Sequence, residues 1–237
     1  MDLTKIAGLF GGWALVNAVL YLSVYYGAFE INPFQFVSIS DAIGPAVKML
    51  IPAAFSLIIA SLSADHNPLN RWTLSKTPFF PLVGAVVIML LLTMERLLLD
   101  APYWIYYCLG ALVGFGVVVV GLGAANWLLL VQRIKDPTVR TLVCIASISM
   151  PIFVIFVGIN SAKEVIDGKR FSYLTADQLP APFTGSQSNR YRLIGKLGST
   201  WLLMSERDRT AVIMVDSSKL QSVSVTHVRN LPTRFGL

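Results

Sequence analysis

The chain has 237 residues, of which 55% are hydrophobic and 14% are charged, and its formal net charge at pH 7 is +6. This composition argues against an ordinary soluble globule and indicates a bilayer-embedded domain with a modest polar appendage. The charge is unevenly divided, because residues 1–160 hold eight Lys/Arg and seven Asp/Glu (+1), whereas residues 161–237 hold eleven and six (+5). A basic C-terminal part is suited either to attract anionic lipid headgroups or to keep a soluble domain hydrated.

Five apolar stretches are long enough to cross a hydrocarbon core about 30 Å thick, which takes about 20 helical residues. Backbone polar groups find no partners in lipid, so each stretch is predicted to be helical. The predicted fold is therefore an α-helical transmembrane bundle of about five spans with a small C-terminal antiparallel β meander or half-barrel. The multi-pass transmembrane domain is predicted over residues 1–160, with spans at roughly 6–28, 42–62, 79–99, 104–131 and 139–160.

The basic residues between the predicted spans indicate an orientation, since cytoplasmic loops retain positive charge. With the N-terminus in the cytoplasm, the inner side collects six Lys/Arg against one up to the end of span five. Lys163, Lys169 and Arg170 follow that span and weaken the bias. An odd number of spans predicts a multi-pass protein of the cell membrane, with a cytoplasmic N-terminus and the C-terminal module outside the cytoplasm.

Two charges inside the predicted spans form the main candidate site. Lys48 lies about six residues from the start of span two and Glu95 about four residues from the end of span three, so both lie within about 10 Å of the same boundary. Charges within a membrane are costly unless they are paired or reach water. We hypothesise an intramembrane ion pair between Lys48 and Glu95. As alternatives, the two residues line an oligomeric ion channel or small transporter, or Lys48 reaches the headgroups.

Glycines at GxxxG spacing predict close helix packing. Gly8 and Gly12 have this spacing in span one, and Gly110 and Gly114 have it in span four. Small residues let helix backbones approach closely, so that dispersion and weak hydrogen bonds act between them. The partner helix belongs either to the same chain or to a second copy, and a homo-oligomer is one expectation.

Residues 161–189 are predicted to be a helix extension and a linker. Gly168 is a plausible stop for the helix that begins in span five, and the sequence LPAPFTGSQSN is typical of a linker. Residues 190–226 are predicted to form a small β module of four strands, and residues 227–237 a tail. Gly195 marks a bulge or bend in the first of these strands. The candidate core residues of the module are Trp201, Leu203, Val212 and Met214.

The sequence contains no complete catalytic motif. The segment IGKLGST resembles a phosphate loop only in composition, because Lys196 precedes Gly198 and the required GxxxxGK[ST] spacing is missing. Only two histidines occur, and neither has partners at metal spacing; both cysteines lie inside apolar runs. We predict no metal, no cofactor and a non-enzymatic, self-associating membrane protein whose β module serves assembly or docking. Its expected partners are the lipid bilayer, another copy and a protein bound at residues 190–226, and no nucleic acid is predicted.

Overall fold

The helices of this protein precede its strands along the chain. The computed structural model describes residues 3–36, 44, 79–93, 98–99, 102–175, 178–180, 190–205, 212–220 and 225–229. In these residues five α-helices are followed by a five-stranded antiparallel sheet. The helices are α1 (Leu3–Gly27), α2 (Phe79–Thr93), α3 (Tyr103–Ala124), α4 (Leu128–Arg133) and α5 (Pro137–Ile166). The strands are β1 (Arg170–Thr175), β2 (Arg190–Leu197), β3 (Thr200–Ser205), β4 (Val212–Asp216) and β5 (Thr226–Arg229).

The prediction of a five-span transmembrane bundle is wrong. Within the described residues, α5 alone is long and apolar enough to cross a membrane, judged by its length and composition. The apolar parts of α2 and α3 are shorter, Leu82–Leu91 and Cys108–Ala124. Hydropathy counts apolar residues along the chain but does not register where a helix breaks.

The predicted fourth span shows such a break. Helix α3 ends at Ala124, and α4 begins at Leu128 after a turn. Trp127, the residue before α4, has an extended backbone with φ −66° and ψ 130°. Glycine is a poor helix former, and two glycines, Gly121 and Gly123, lie in the last turn of α3. The apolar run from residue 104 to 131 is therefore divided between two helices.

Apolar residues in the C-terminal half of α1 are buried inside the protein. Ala18, Leu22, Tyr25 and Tyr26 in its C-terminal half are all buried in a cluster that also includes residues of α5 and of the sheet. A stretch that is apolar enough to cross lipid is also apolar enough to fill a protein interior. The hydropathy of residues 6–28 therefore did not distinguish the two environments.

Helix α5 begins and ends with recognisable capping groups. The Asp136 carboxylate accepts hydrogen bonds from the backbone N–H groups of Thr138 (2.8 Å) and Val139 (3.2 Å), with Pro137 as the first helical residue. The helix ends at Ile166, and Gly168 follows in the left-handed region with φ +70°. The predicted glycine stop is confirmed.

The sheet has the strand order β4-β3-β2-β1-β5, with every neighbouring pair antiparallel. The antiparallel C-terminal sheet is confirmed, but its strands differ from the predicted four. Strand β1 lies inside the predicted linker, because its partners β2 and β5 are distant in sequence and local pattern did not reveal them. The segment DSSK, whose composition is typical of a turn, forms a 3-10 turn over Ser217–Lys219 that Asp216 caps. The predicted bulge is confirmed, since the β2–β3 register shifts between Leu193 and Gly195.

Both faces of the sheet are covered with apolar residues. One face contributes Ile194, Leu197, Leu202 and Met204 to the cluster with α1 and α5. On the other face, Leu174, Tyr191, Leu203 and Val215 pack with Leu179. Of the predicted core, Leu203 is fully buried and Trp201 and Val212 are half-buried, but Met214 is 49% exposed because β4 is an edge strand.

The helices approach each other most closely at two glycines. A Cβ added to Gly121 of α3 would lie 2.7 Å from Cγ1 and 3.0 Å from Cα of Ile145 in α5. A Cβ added to Gly158 of α5 would lie 2.9 Å from Cγ1 of Val24 in α1. These distances are too short for a methyl group, so α5 is held against both neighbours at positions that exclude alanine.

We expect Gly121→Ala to lower the free energy of unfolding by about 1 to 3 kcal/mol, because the new methyl group overlaps the backbone of α5. The matched control is Gly114→Ala in the same helix, where no described atom lies within 4 Å of the added Cβ. The control should leave stability unchanged or raise it by up to about 1 kcal/mol, since alanine is the better helix former. Denaturant titration of the purified chain in detergent measures both, and equal losses would contradict this packing.

Candidate functional site at the junction of helices and sheet

The C-terminal ends of α1 and α5 meet the sheet at strand β2. Buried polar groups from all three elements converge there, which makes this region the best-defined polar site among the described residues. We call it the junction. Its members are Tyr25, Tyr26, Val165, Ile166, Gly168, Phe171, Arg192, Ile194 and Gly195.

Arg192 of β2 caps the end of α5. Its side chain is 4% exposed, and Nη1 donates hydrogen bonds to the carbonyl oxygens of Val165 (2.9 Å) and Ile166 (2.8 Å). The last carbonyls of a helix lack partners within the helix, and they carry the negative end of its dipole. A buried guanidinium at this position satisfies those carbonyls, and they offset the cost of removing its charge from water.

Two residues between α5 and β2 make room for this guanidinium. Gly168 turns the chain with φ +70°, and a Cβ there would lie 2.8 Å from Nη2 of Arg192. Phe171 of β1 places its ring 4.7 Å from the guanidinium carbon, in a cation–π arrangement. The glycine therefore meets two requirements, the left-handed turn and the space for the capping arginine.

The bulge in β2 receives two tyrosines from α1. Because the register shifts between Leu193 and Gly195, the carbonyl of Ile194 is available to a side chain, and the Tyr25 hydroxyl donates to it at 2.6 Å. The Tyr26 hydroxyl lies against Gly195, where a side chain on residue 195 would collide with it. The bulge therefore lets the C-terminal end of α1 pack against the middle of β2.

A second buried cation lies one turn before the end of α5. The Lys163 side chain is 5% exposed, and its ammonium donates to the carbonyl oxygen of Leu99. Like Arg192, it contacts a backbone carbonyl rather than an open cavity. Both cations therefore join separate segments of the chain.

Groups with potential for chemistry are sparse among the described residues. No cluster of three or more His, Cys, Asp or Glu side chains in them could hold a metal ion. Ser172 Oγ lies 2.6 Å from His227 Nδ1, and the two residues face each other across β1 and β5 on the exposed part of the sheet. A nucleophile of the Ser–His type needs a third group that orients the base and a pocket for the substrate.

The predicted ion pair cannot be placed, since Lys48 and Glu95 both lie outside the described residues. The pair stays a prediction. Of the predicted packing glycines, Gly8 and Gly12 lie in α1 and Gly110 and Gly114 lie in α3. A Cβ on Gly110 would be 3.7 Å from Phe156 Cε1, an ordinary contact, while no described atom lies within 4 Å of one on Gly12 or Gly114. The closest helix contacts occur at other glycines, Gly121 and Gly158.

The sequence interpretation missed the capping role of Arg192. In the run RYRL, Arg190 and Arg192 alternate with Tyr191 and Leu193, and alternation alone does not show that a helix end lies against the arginine face. The only local signal was Gly168, which indicates where a helix ends and hence where unpaired carbonyls occur.

Comparison with known protein families, characterised proteins and solved structures finds no match to this chain. The function proposed below therefore rests on the geometry of the described residues.

We expect Arg192→Met to lower the free energy of unfolding by about 2 to 3 kcal/mol, because two carbonyls at the end of α5 lose a charged donor. The control is Arg190→Met in the same strand, where an exposed guanidinium lies 5.0 Å from the ring of Tyr173. That change should cost less than about 1 kcal/mol. Urea titration monitored by circular dichroism compares the two, and similar losses would mean that Arg192 does not hold the helix end.

Proposed function

We propose that this chain is a non-enzymatic membrane protein, anchored by α5, that self-associates through a β sheet held rigidly on the helix ends. The observation that carries the proposal is the distribution of exposed apolar side chains. They are concentrated on the helices, whereas the sheet has both of its faces covered.

The exposed apolar residues of the helices include Met89 of α2 at 68%, Leu112 of α3 at 71% and Phe115 of α3 at 74%. In the described part of the sheet, Met214 is the one large apolar side chain that is exposed. Soluble proteins rarely expose contiguous apolar patches above a few hundred Å². Such a surface on helices is stable in lipid. The other exposed apolar residues of the helices are Leu15, Val16, Val19, Phe79, Leu82, Val86, Leu90, Trp104, Ile105, Val119, Leu129, Val139 and Val143.

A groove between α2, α3 and α5 has the same character. Its volume is about 280 Å³, and apolar residues from all three helices line it, among them Val83, Leu112 and Ile152. Water in such a groove would find few hydrogen-bond partners, whereas a hydrocarbon chain would fit. The groove therefore supports contact between the helices and lipid.

Helix α5 is suited to be the anchor. It has 30 residues, and basic residues flank both ends, Arg133 and Lys135 before it and Lys169 and Arg170 after it. Basic residues at the ends of a spanning helix lie at headgroup level. Arg140, in the first turns of α5, is buried and donates to the carbonyl of Ile134 at 3.0 Å, so its charge is also accommodated near that end.

The sheet is suited to assembly because the junction fixes its orientation and β4 offers an edge. Residues Val212 to Val215 of β4 carry no charge, and its one charged residue, Asp216, lies at the end of the strand, whereas the other described edge strand, β5, contains His227 and Arg229. Natural edge strands usually carry charges that prevent pairing with other chains. The uncharged run of four residues, with Met214 exposed, favours antiparallel pairing with β4 of a second copy, an arrangement with twofold symmetry.

The alternative of a channel or transporter stays a prediction, because its two residues, Lys48 and Glu95, lie outside the described residues. The side of the membrane that the sheet occupies also stays a prediction, since it depends on the number of crossings.

Leu112→Lys and Met214→Lys should each change a different property of the chain, the first its binding to lipid and the second its self-association. A lysine at residue 112 would be exposed to hydrocarbon at a cost of about 2.5 to 3.5 kcal/mol, so the fraction of chain that floats with liposomes should fall. A lysine at residue 214 should leave flotation unchanged but convert dimers to monomers, because a charge on an edge strand opposes pairing. Liposome flotation and analytical ultracentrifugation in detergent measure the two properties.

Each variant controls for the other. Loss of flotation in Met214→Lys equal to that in Leu112→Lys would refute lipid contact by the helices. A wild-type chain that is monomeric at all concentrations would refute assembly through β4.

A further inference from the structure

Strand β2 crosses the ends of two helices, which meet the same face of the sheet. Arg192 donates to the end of α5, while Ile194 packs in the cluster with α1 and its carbonyl accepts from the Tyr25 hydroxyl. The two helices lie against each other at Gly158, and both run toward the sheet. The strand therefore lies across the helix ends, and we call the face that meets them the helix-side face.

The helix-side face continues past the end of α5 and carries polar side chains there. Side chains alternate between the two faces along a strand, so Arg190 lies on the same face as Arg192. Directly opposed residues also share a face. Tyr173 is opposite Arg192 on one side and Thr226 on the other, and Thr175 is opposite Arg190. We call Tyr173, Thr175, Arg190 and Thr226 the Arg190 site.

The charge of Arg190 is not neutralised within the site. Its side chain is exposed, and the described residues place no carboxylate in salt-bridge contact with it. Its guanidinium carbon lies over the ring of Tyr173, 5.0 Å from the ring centre. Stacking on a ring orients a guanidinium but does not use its N–H groups, so these donors are available to an anion.

The length of α5 sets the level of the site relative to a bilayer. Thirty residues at 1.5 Å each give about 45 Å, close to the thickness of a bilayer with its headgroups. If α5 crosses the bilayer, Ile166 at its end lies at the outer side of the headgroups, as does Arg192, which donates to it. Arg190 lies two residues, or about 7 Å, further along the strand that crosses this helix end. Its side chain is on the face that looks back toward the bilayer.

We propose that the Arg190 site binds the phosphate group of an anionic phospholipid, with Arg190 as the principal donor. The proposal rests on the proposed membrane function, and it adds the class of lipid and the residue that selects it. A guanidinium binds phosphate oxygens through paired N–H groups, and the hydroxyls of Tyr173 and Thr175 add hydrogen-bonding groups on the same face. The net negative charge of an anionic headgroup supplies the counter-charge that the site lacks. Zwitterionic lipids have no such net charge.

The test uses the full chain in nonionic detergent, titrated with dioleoylphosphatidylglycerol or dioleoylphosphatidylcholine, with bound lipid counted by native mass spectrometry. Arg190→Gln should weaken binding of the anionic lipid about fivefold, the contribution of one basic residue near a membrane surface. The matched control is Lys196→Gln. Lys196 is an exposed cation of the same strand and also lies over an aromatic ring, that of Trp201, but on the opposite face of the sheet.

The proposal is supported if Arg190→Gln loses the preference for phosphatidylglycerol and Lys196→Gln keeps it. It is overturned if both variants lose the preference equally, if Arg190→Gln binds this lipid as the wild type does, or if the wild type binds phosphatidylcholine equally well. Release of the lipid by excess inorganic phosphate, with sodium chloride of equal ionic strength as the comparison, would assign the site to free phosphate and also overturn it.

Liposome flotation separates this proposal from the membrane function on which it rests. A wild-type chain that floats with phosphatidylcholine liposomes but shows no headgroup preference refutes the lipid site alone. A wild-type chain that does not float refutes the membrane function and with it the position of the site.

Discussion

The contact between the Arg192 guanidinium and the last carbonyls of α5 is the interaction on which the arrangement of helices and sheet depends. It joins the middle of the sheet to the end of the longest described helix, at a point where the helix dipole favours a positive charge. The contact needs the left-handed turn at Gly168, which carries the chain from α5 into β1 and leaves space for the guanidinium. A buried arginine is tolerated where its donors find acceptors, and the last carbonyls of α5, which lack partners within the helix, accept from Nη1 of Arg192.

The contacts of α1 with the bulge complete this arrangement. The Tyr25 hydroxyl binds the carbonyl of Ile194, and the glycine at position 195 accommodates the Tyr26 hydroxyl. Helices α1 and α5 are themselves in close contact at Gly158. The sheet is thus attached to two helices that are attached to each other, so it is a fixed platform and not a mobile head. That rigidity gives the edge strand β4 a defined position relative to α5.

Local features of the sequence predicted parts of this structure. Gly168 indicated the end of α5, Gly195 the bulge, and the short alternating runs an antiparallel sheet, because each depends on the conformation of a few consecutive residues. Strand β1 and the cap by Arg192 could not be predicted in the same way. The partners of β1 are about 20 and 55 residues away in β2 and β5, and the partner of Arg192 is the end of a helix before the sheet.

The apolar composition did not predict the number of helices that are long and apolar enough to cross a membrane. It predicted five spans, whereas α5 alone among the described helices is long and apolar enough, because part of the apolar sequence fills the junction and part is interrupted at Trp127. The remaining apolar side chains lie exposed on the helices, and they support the proposed contact with lipid. The apolar residues therefore fall into two sets: one forms an internal core near the sheet, and the other forms an outer surface further along the helices.

If Arg192 holds the sheet on the helix end, the last turn of α5 and strands β1 to β3 open together as one cooperative unit. Hydrogen–deuterium exchange of the full chain in detergent, resolved to peptides covering residues 160–175 and 190–205, tests it most directly. We expect both peptides to show the same free energy of opening in the wild type, and to lose protection together when Arg192 is replaced by methionine. Protection of the helix end that persists while the sheet exchanges freely would contradict this account.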